Sequence, residues 1–314
     1  MFWKEIKKKF LLDVRFRTVT LFMACYTIGI VTFHFLENAS WLDSFYWIVI
    51  TLSTVGYGDL TPHSPLMKII VFPIVLVGIV VFASITGLIV EEQQARLRGL
   101  KPSRQNKHVI ILGYNDAAES AIQELKGKYE ITLVDNEQDV NPKIEENIHF
   151  IRGDPKKEES LLRANIEKAE FVLITLKEDS DAILATLAVR NLNEKAKIIV
   201  SISSMENVRR ARAAGAHVVV TVDALAGRFL ASAVFEENVV KFFEDVSSGK
   251  EGYDIVEIDA KEMKGKKVKD IILQNYKDGL LLAVSREGRL FIKPDLEMEI
   301  EKDDKLLFIR EAIS

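Results

Sequence analysis

Two glycines one residue apart, Gly56 and Gly58, sit in Thr54-Val55-Gly56-Tyr57-Gly58-Asp59, and both can take positive φ without a side-chain penalty. The chemistry open to this stretch is that of the main chain, with Asp59 adding a carboxylate at its end. A second feature, Gly113-Tyr114-Asn115-Asp116-Ala117-Ala118, follows the apolar run Val109-Ile110-Ile111-Leu112. A dinucleotide fingerprint there would read G-x-G-x-x-G/A, so that backbone and helix N-terminus could approach a pyrophosphate. Gly113 and Ala118 fit; Asn115 replaces the glycine of close approach, and Asp116 would bring an anion near the phosphates. Asp135, 22 residues beyond Gly113, ends the next apolar run where ribose hydroxyls would lie, and Asp154 ends the one after. Strand-on-helix packing without a nucleotide also accounts for these residues. The third feature is acidic. Glu178, Asp179 and Asp181, with Glu206, Glu236 and Glu237 further on, could offer oxygens to a divalent cation such as Ca2+. Charged helix ends explain them too, Asp179 above all as an N-terminal carboxylate. The single cysteine, Cys25, reads as a small buried hydrophobe, and the five histidines show no evident grouping.

The elements that must hold these residues are written for two solvents. Residues 18–90 carry only Glu37, Asp43, Asp59 and Lys68, in a chain with 42 Lys plus Arg and 46 Asp plus Glu. Residues 18–35 and 69–90 are uncharged runs of 18 and 22, long enough to cross a bilayer as helices. A signal peptide fits the first poorly, because no small-residue cleavage site precedes Glu37. Lys4, Lys7, Lys8, Lys9, Arg15 and Arg17 precede the first run; Arg96, Arg98, Lys101, Arg104 and Lys107 follow the second. The positive-inside rule then gives a multi-pass cell-membrane protein with both termini cytoplasmic. Residues 45–53 are apolar but too short to cross, which fits a re-entrant helix. Non-helical backbone at that depth is tolerated only when buried in protein or lining a water-filled cavity. A net charge of −4 argues against a general nucleic-acid binder, which would need a strong basic excess.

A TVGYGD run after a short aromatic helix, between two spans, resembles the selectivity filter of a potassium channel. The resemblance implies that the carbonyls of Thr54, Val55, Gly56 and Tyr57, with the Thr54 hydroxyl, replace the hydration shell of a permeating K+. It implies a homotetramer, since one strand cannot surround an ion. Tyr57 would pack outward on pore-helix aromatics, with Trp47 as partner, and Asp59 would attract cations at the outer mouth. Gly78 would be a gating hinge, or equally a site of close helix packing. Ala83 stands at the narrow inner pore, and Pro73 should kink the helix nearer its outer end. Glu91 and Glu92 would ring the cytoplasmic mouth, or simply solvate the interface. No arginine-rich span exists to sense voltage.

Beyond residue 107 short apolar runs alternate with helical patterns, which implies a doubly wound Rossmann-like sheet. Together with Gly153-Asp154-Pro155 and Ala214-Gly215-Ala216 this resembles an RCK (regulator of K+ conductance) domain of the TrkA-N plus TrkA-C type. The expected organisation is a cytoplasmic N-terminus at 1–17, a pore domain at 18–91 and a linker at 92–107. An RCK N-lobe at 108–223, a helical crossover and linker at 224–251 and a small α+β C-lobe at 252–314 follow. RCK–RCK pairing would build a gating ring, octameric if extra RCK domains join; no Met lies between Met67 and Met205 to start such a domain at the linker. Where calcium-gated relatives carry carboxylates, this chain has Thr175, Ser201 and Ser203, which leaves NAD or ADP and a divalent cation both open as gating ligand. The expected function is a ligand-gated K+ channel and not an enzyme. A membrane-anchored NAD-dependent oxidoreductase would need a complete phosphate loop, and a separate regulatory subunit would not carry its own TVGYGD.

Overall fold

The computed structural model describes residues 14–247, 252–275 and 279–311. The basic residues Lys4, Lys7, Lys8 and Lys9, and Ser248-Gly249-Lys250 of the expected linker, lie outside them. The chain divides into two units, Met1–Leu97 and Arg98–Ser314.

The first unit holds α1 (Val14–Glu37), α2 (Trp41–Leu52) and α3 (Pro65–Leu97). The apolar windows of α1 and α3 are only 17% buried within the chain. A core helix of a soluble protein would be mostly covered, so these two are written for lipid or for neighbouring copies. Helix starts are chemically marked. Ser40 Oγ accepts from Asp43 N at 3.0 Å and donates to Asp43 Oδ2 at 2.8 Å, opening α2. Ser64 Oγ accepts from Met67 N at 3.2 Å, with Pro65 at the first helical position of α3. The Glu37 carboxylate ends α1 by accepting from His63 N, Ser64 N and Ser64 Oγ, at 3.0, 3.0 and 2.7 Å. One carboxylate thus ties the end of α1 to the start of α3. Between the helices Phe33 stacks on Trp47, with centroids 4.2 Å apart, over Ile48, Leu52, Met67 and Ile74.

The second unit opens with a six-stranded parallel sheet in the order β3-β2-β1-β4-β5-β6. Its strands are β1 (Val109–Leu112), β2 (Ile131–Asp135), β3 (His149–Arg152), β4 (Phe171–Ile174), β5 (Lys197–Ile202) and β6 (Val218–Thr221). The helices are α4 (Asp116–Leu125), α5 (Glu158–Arg163), α6 (Asp179–Leu192) and α7 (Val208–Ala213). All four β1 residues are buried because the sheet is covered on both faces. Val109 and Ile111 pack with Ala118 and Ile122 of α4, and Ile110 and Leu112 with Ala182, Ala185 and Val189 of α6. The order reverses between β1 and β4, and in such sheets ligands bind outside the carboxyl ends at that point.

Residues 99–107, expected as part of a linker, are fastened to this sheet. The Gly99 carbonyl accepts from Arg152 N at 3.0 Å, and His149 Nε2 lies 3.0 Å from the Lys101 carbonyl. Further along, Ser103 Oγ meets Thr132 Oγ1 at 3.1 Å, Asn165 Nδ2 donates to the Gln105 carbonyl at 2.7 Å, and Lys107 N donates to Lys168 O at 2.9 Å. The segment, a strap, meets the outer edge of β3 at Arg152 and His149, then passes Thr132 of β2 and the end of α5 before turning into β1.

After the sheet, α8 (Val222–Phe235) and α9 (Glu237–Ser247) cross over. No residue of α8 is buried, and Leu230, Val234 and Phe235 are 72%, 74% and 88% exposed. The C-lobe is an antiparallel sheet in the order β7-β10-β8-β9, packed on α10 (Val268–Asn275). Its strands are β7 (Tyr253–Asp259), β8 (Leu280–Arg286), β9 (Arg289–Ile292) and β10 (Lys305–Glu311). β9 is a short edge strand. Glu287 and Gly288, both at positive φ, make the two-residue turn that pairs it with β8.

Candidate functional site

The pore segment follows directly from the end of α2. Thr54, Gly56 and Gly58 have φ of 63°, 54° and 75°, whereas Val55 and Tyr57 are absent from the positive-φ set. Alternation in the sign of φ reorients successive peptide planes, as a row of carbonyls turned to one axis would require. The glycines do this without cost, but Thr54 is β-branched, for which positive φ is an outlier, so surrounding structure must hold it there. The donors are disposed of backwards: Thr54 N reaches Thr51 O, and Val55 N and Gly56 N both reach Ile50 O, each at 3.2 Å. Among the described residues no donor reaches the carbonyls of Thr54, Val55, Gly56 or Tyr57. Donors are tied into the helix and acceptors left open, the arrangement a dehydrated cation requires. The C-terminal end of α2, where its dipole is negative, adjoins them.

Trp47 does not meet Tyr57 within the chain. It is 4% exposed and stacked on Phe33, while Tyr57 is 71% exposed. The aromatic that reaches the segment is Tyr46, whose hydroxyl donates to Asp59 Oδ2 at 2.9 Å. Helical phase separates the two rings: adjacent residues point about 100° apart, so that Trp47 faces Phe33 with Ile48 beside it while Tyr46 turns to Asp59.

On α3, Gly78 is buried, and a Cβ there would overlap Leu52 Cδ2 from the end of α2. The contact favours close packing for Gly78. Gly87, nine positions further, has nothing within 4 Å of where a Cβ would stand. Ala83 and Glu91 are exposed and Glu92 half-buried; α3 runs through both glutamates to Leu97 and is unbroken at Pro73.

In the second unit a cleft of about 250 Å³ opens at the carboxyl ends of β1 to β4, lined by Gly113, Asn115, Asp135, Asp154, Lys156, Thr175, Lys177, Glu178 and Asp181, among others. Gly113 has φ +94°, and a Cβ on it would come within 2.8 Å of Leu176. Asn115 turns inward: its Oδ1 accepts from Ala118 N at 3.0 Å, capping α4, and its Nδ2 donates to Thr175 O at 2.6 Å. It bridges the crevice where a glycine would leave room for a phosphate. Asp135 is 4% exposed, and its oxygens accept from Tyr114 N, Glu137 N and Gln138 N at 2.9, 2.7 and 2.9 Å. It organises the loops around the cleft that it also lines. Asp154 remains at the open cleft beside Lys156, whose ammonium lies 2.6 Å from Asp181. Hydrogen bonding to Asp181 outweighs desolvation and pushes the Lys156 pKa up. Lys156 and Lys177 are the site residues that sequence reading missed; position next to a strand-ending Asp-Pro or Thr-Leu was their only signal.

The candidate cation ligands Glu178, Asp179, Asp181 and Glu206 do not gather, and Glu236 and Glu237 lie exposed, Glu237 paired with Lys241. Asp179 accepts from Ser203 N, Ser204 N and Asn207 Nδ2 at 2.8, 3.0 and 2.8 Å, so its oxygens are already engaged by N–H donors. Asp181 is paired with Lys156, and Glu178 and Glu206 lie exposed. Among the described residues no three His, Cys, Asp or Glu side chains are grouped to hold a metal.

Residues 19–94 match the ion-channel family and residues 109–222 the TrkA-N domain. The chain is 31% identical over 219 residues to the YugO protein of Bacillus subtilis, spanning 65% of each, just under two thirds of that relative. It is 29% identical to probable potassium channel protein 2 of Methanocaldococcus jannaschii, over 96% of this chain and 92% of that one. Against the calcium-gated potassium channel TvoK of Thermoplasma volcanium it is 26% identical, over 87% and 83%. Among solved structures, the human SLO3 gating ring superposes with a TM-score of 0.51 at 20% identity, covering 65% of this chain and 44% of that one, a likeness of fold.

Proposed function

The chain belongs to the potassium-channel family that joins an ion-channel pore to a TrkA-N domain, and on that premise we propose that it is a K+-selective, ligand-gated channel. The family is one of channels and regulatory domains, not of catalysts. The observation that carries the reading is the alternating backbone at 54, 56 and 58, with open carbonyls on residues 54–57 and donors turned back into α2. Four copies supply the oxygens that one chain cannot. The outward apolar faces of α3, with Ile69 at 68%, Phe72 at 71% and Val80 at 66% exposure, support burial against lipid and neighbours. Basic flanks on both spans support cytoplasmic termini.

The gating ligand enters at the carboxyl ends of β1 to β4. Lys156 and Lys177 beside Asp154 and Asp181 suit a nucleotide such as ADP or NAD, with cations for its phosphates and carboxylates for its hydroxyls. TvoK, by its name, is gated by calcium, which keeps a divalent cation as the second reading. The ligand acts only through its differential affinity for open and closed forms.

The test is recording from purified protein in planar bilayers. Under bi-ionic K+/Na+ conditions the reversal potential should shift strongly towards K+; equal permeability overturns the channel reading. ADP, NAD, Ca2+ and Mg2+ are then added singly to the face bearing the TrkA-N domain. At least one should change open probability.

A further inference from the structure

The strap and the cleft share a short helix. α5 starts four residues after Asp154, and a Cβ on Gly153 would overlap Ser160 Oγ, so the cleft loop packs directly on α5. At the other end of α5, Arg163 bonds the strap at two points and the end of β3 at a third. Its guanidinium donates to the Gly99 carbonyl at 2.6 Å and to the Arg152 carbonyl at 3.1 Å, and its own carbonyl accepts from Ser103 N at 2.7 Å. The Gly99 carbonyl also receives Arg152 N at 3.0 Å. Gly99 itself has φ +65°, and a Cβ there would strike the Arg152 nitrogen and come within 2.6 Å of the Phe150 ring. Two residues before Gly99, α3 ends at Leu97. Two residues after Arg152 stands Asp154, at the cleft.

We infer that Arg163 is a positioning residue for gating: it locks the strap to the strand end and helix that border the cleft, so that displacement of the 153–156 loop by a ligand is delivered at Gly99 to the end of α3. This rests on the reading that a ligand in the cleft gates the pore. The chemistry specifies arginine. A planar fork can bond two carbonyls held at fixed separation, whereas an ammonium acts as a single point. Without the fork, Gly99 keeps one backbone hydrogen bond, and the strap can slip along β3 while the cleft stays formed. The free energy that couples a site to a gate is commonly worth ~5- to 150-fold, within reach of a few such bonds.

The experiment uses the full chain. Wild type, Arg163→Ala, Arg163→Lys and Gly99→Ala are compared for equilibrium binding of ADP, NAD and Ca2+ in detergent, and for the change each probe makes in open probability in bilayers. For the probe that gates wild type, Arg163→Ala should bind within about threefold of wild type yet lose roughly tenfold or more of the gating response. Arg163→Lys should fall between, and Gly99→Ala should behave like Arg163→Ala. If Arg163→Ala does not fold, Arg163→Lys and Gly99→Ala carry the comparison. A variant that gates like wild type, or that loses binding and gating in equal proportion, overturns the coupling role. A wild-type channel that conducts but ignores every probe overturns the premise of gating at the cleft, and the coupling role with it.

Discussion

Asp179 shows how much a single side chain can be misread from its neighbours in sequence. Acidic companions at 178 and 181 suggest a cation site, but the carboxylate is spent on Ser203, Ser204 and Asn207, fixing the end of β5 against the start of α6. Those partners lie 24 to 28 residues away, beyond any local pattern. Burial opposes its ionisation, yet the hydrogen bonds outweigh that and hold its pKa below the usual carboxylate value. Stability from this group is therefore complete above about pH 4 and lost as pH falls through the lower folded-state value. Asp179→Ala, which strands three donors, should cost about 1.5–3 kcal/mol in denaturant unfolding of the detergent-solubilised chain. His108 carries the opposite chemistry. It is fully buried, with Nε2 on the Ala164 carbonyl at 3.0 Å and Nδ1 without a partner among the described residues. Desolvation pushes its pKa down against that hydrogen bond and against Glu130. The unfolded chain protonates near pH 6.5 while the folded one resists, so stability is constant above that value and declines below it. The thermal midpoint should fall from pH 6.5 towards 5, and His108→Gln should flatten that slope; His217, also shifted down, supplies what slope remains. In the proposed filter, Gly56 and Gly58 were legible as positive-φ positions because only glycine adopts them cheaply. Thr54 was not, because its backbone is imposed by tertiary structure against its own preference.

At the scale of elements, α3 contains two glycines with different surroundings. Gly78 is filled by Leu52, and Gly87 is open. Ser84 and Thr86 return their hydroxyls to the carbonyls of Val80 and Phe82, at 2.8 and 2.9 Å, which softens the turn just before Gly87. Gly78→Ala should therefore cost ~1–3 kcal/mol through overpacking, read as a lower thermal midpoint, with Leu52→Ala in the same chain restoring much of it. Gly87→Ala should be neutral or raise the midpoint, since alanine favours the helix by roughly 1 kcal/mol. If Gly78→Ala is harmless alone, the packing role fails. Sequence periodicity was enough to find β1, whose four apolar residues admit no other element in an alternating context. It could not find the strap. Residues 99–107 are mostly polar and hold Gly99 and Pro102, the signature of a linker, and the groups that fasten them come from positions 29 to 64 residues later.

For the whole molecule, the charge boundary near residue 90 marks the two units, although the structural division falls at Leu97 and Arg98. Composition shows which residues face lipid and which face water. It cannot show assembly, because surfaces that meet other copies look like any exposed apolar patch. The face of α8 formed by Leu230, Val234 and Phe235 is large enough to matter to the proposed ring. Phe235→Asp should leave K+ conduction intact while weakening the response to the gating probe by about tenfold or more, measured as the shift in open probability. Unaltered gating would remove that face from the ring.

The strap has a consequence for association itself. A parallel sheet has two borders, and each is a row of backbone groups ready to recruit another chain. Here the β3 border already has a neighbour from its own polypeptide, with the Gly99 carbonyl satisfied by Arg152. The other border is β6, which leads directly into α8. At Arg152 an incoming strand would find the outward N–H already taken, whereas β6 has no further strand beside it among the described residues, and the residues that cover β3 are those that follow α3 in the sequence.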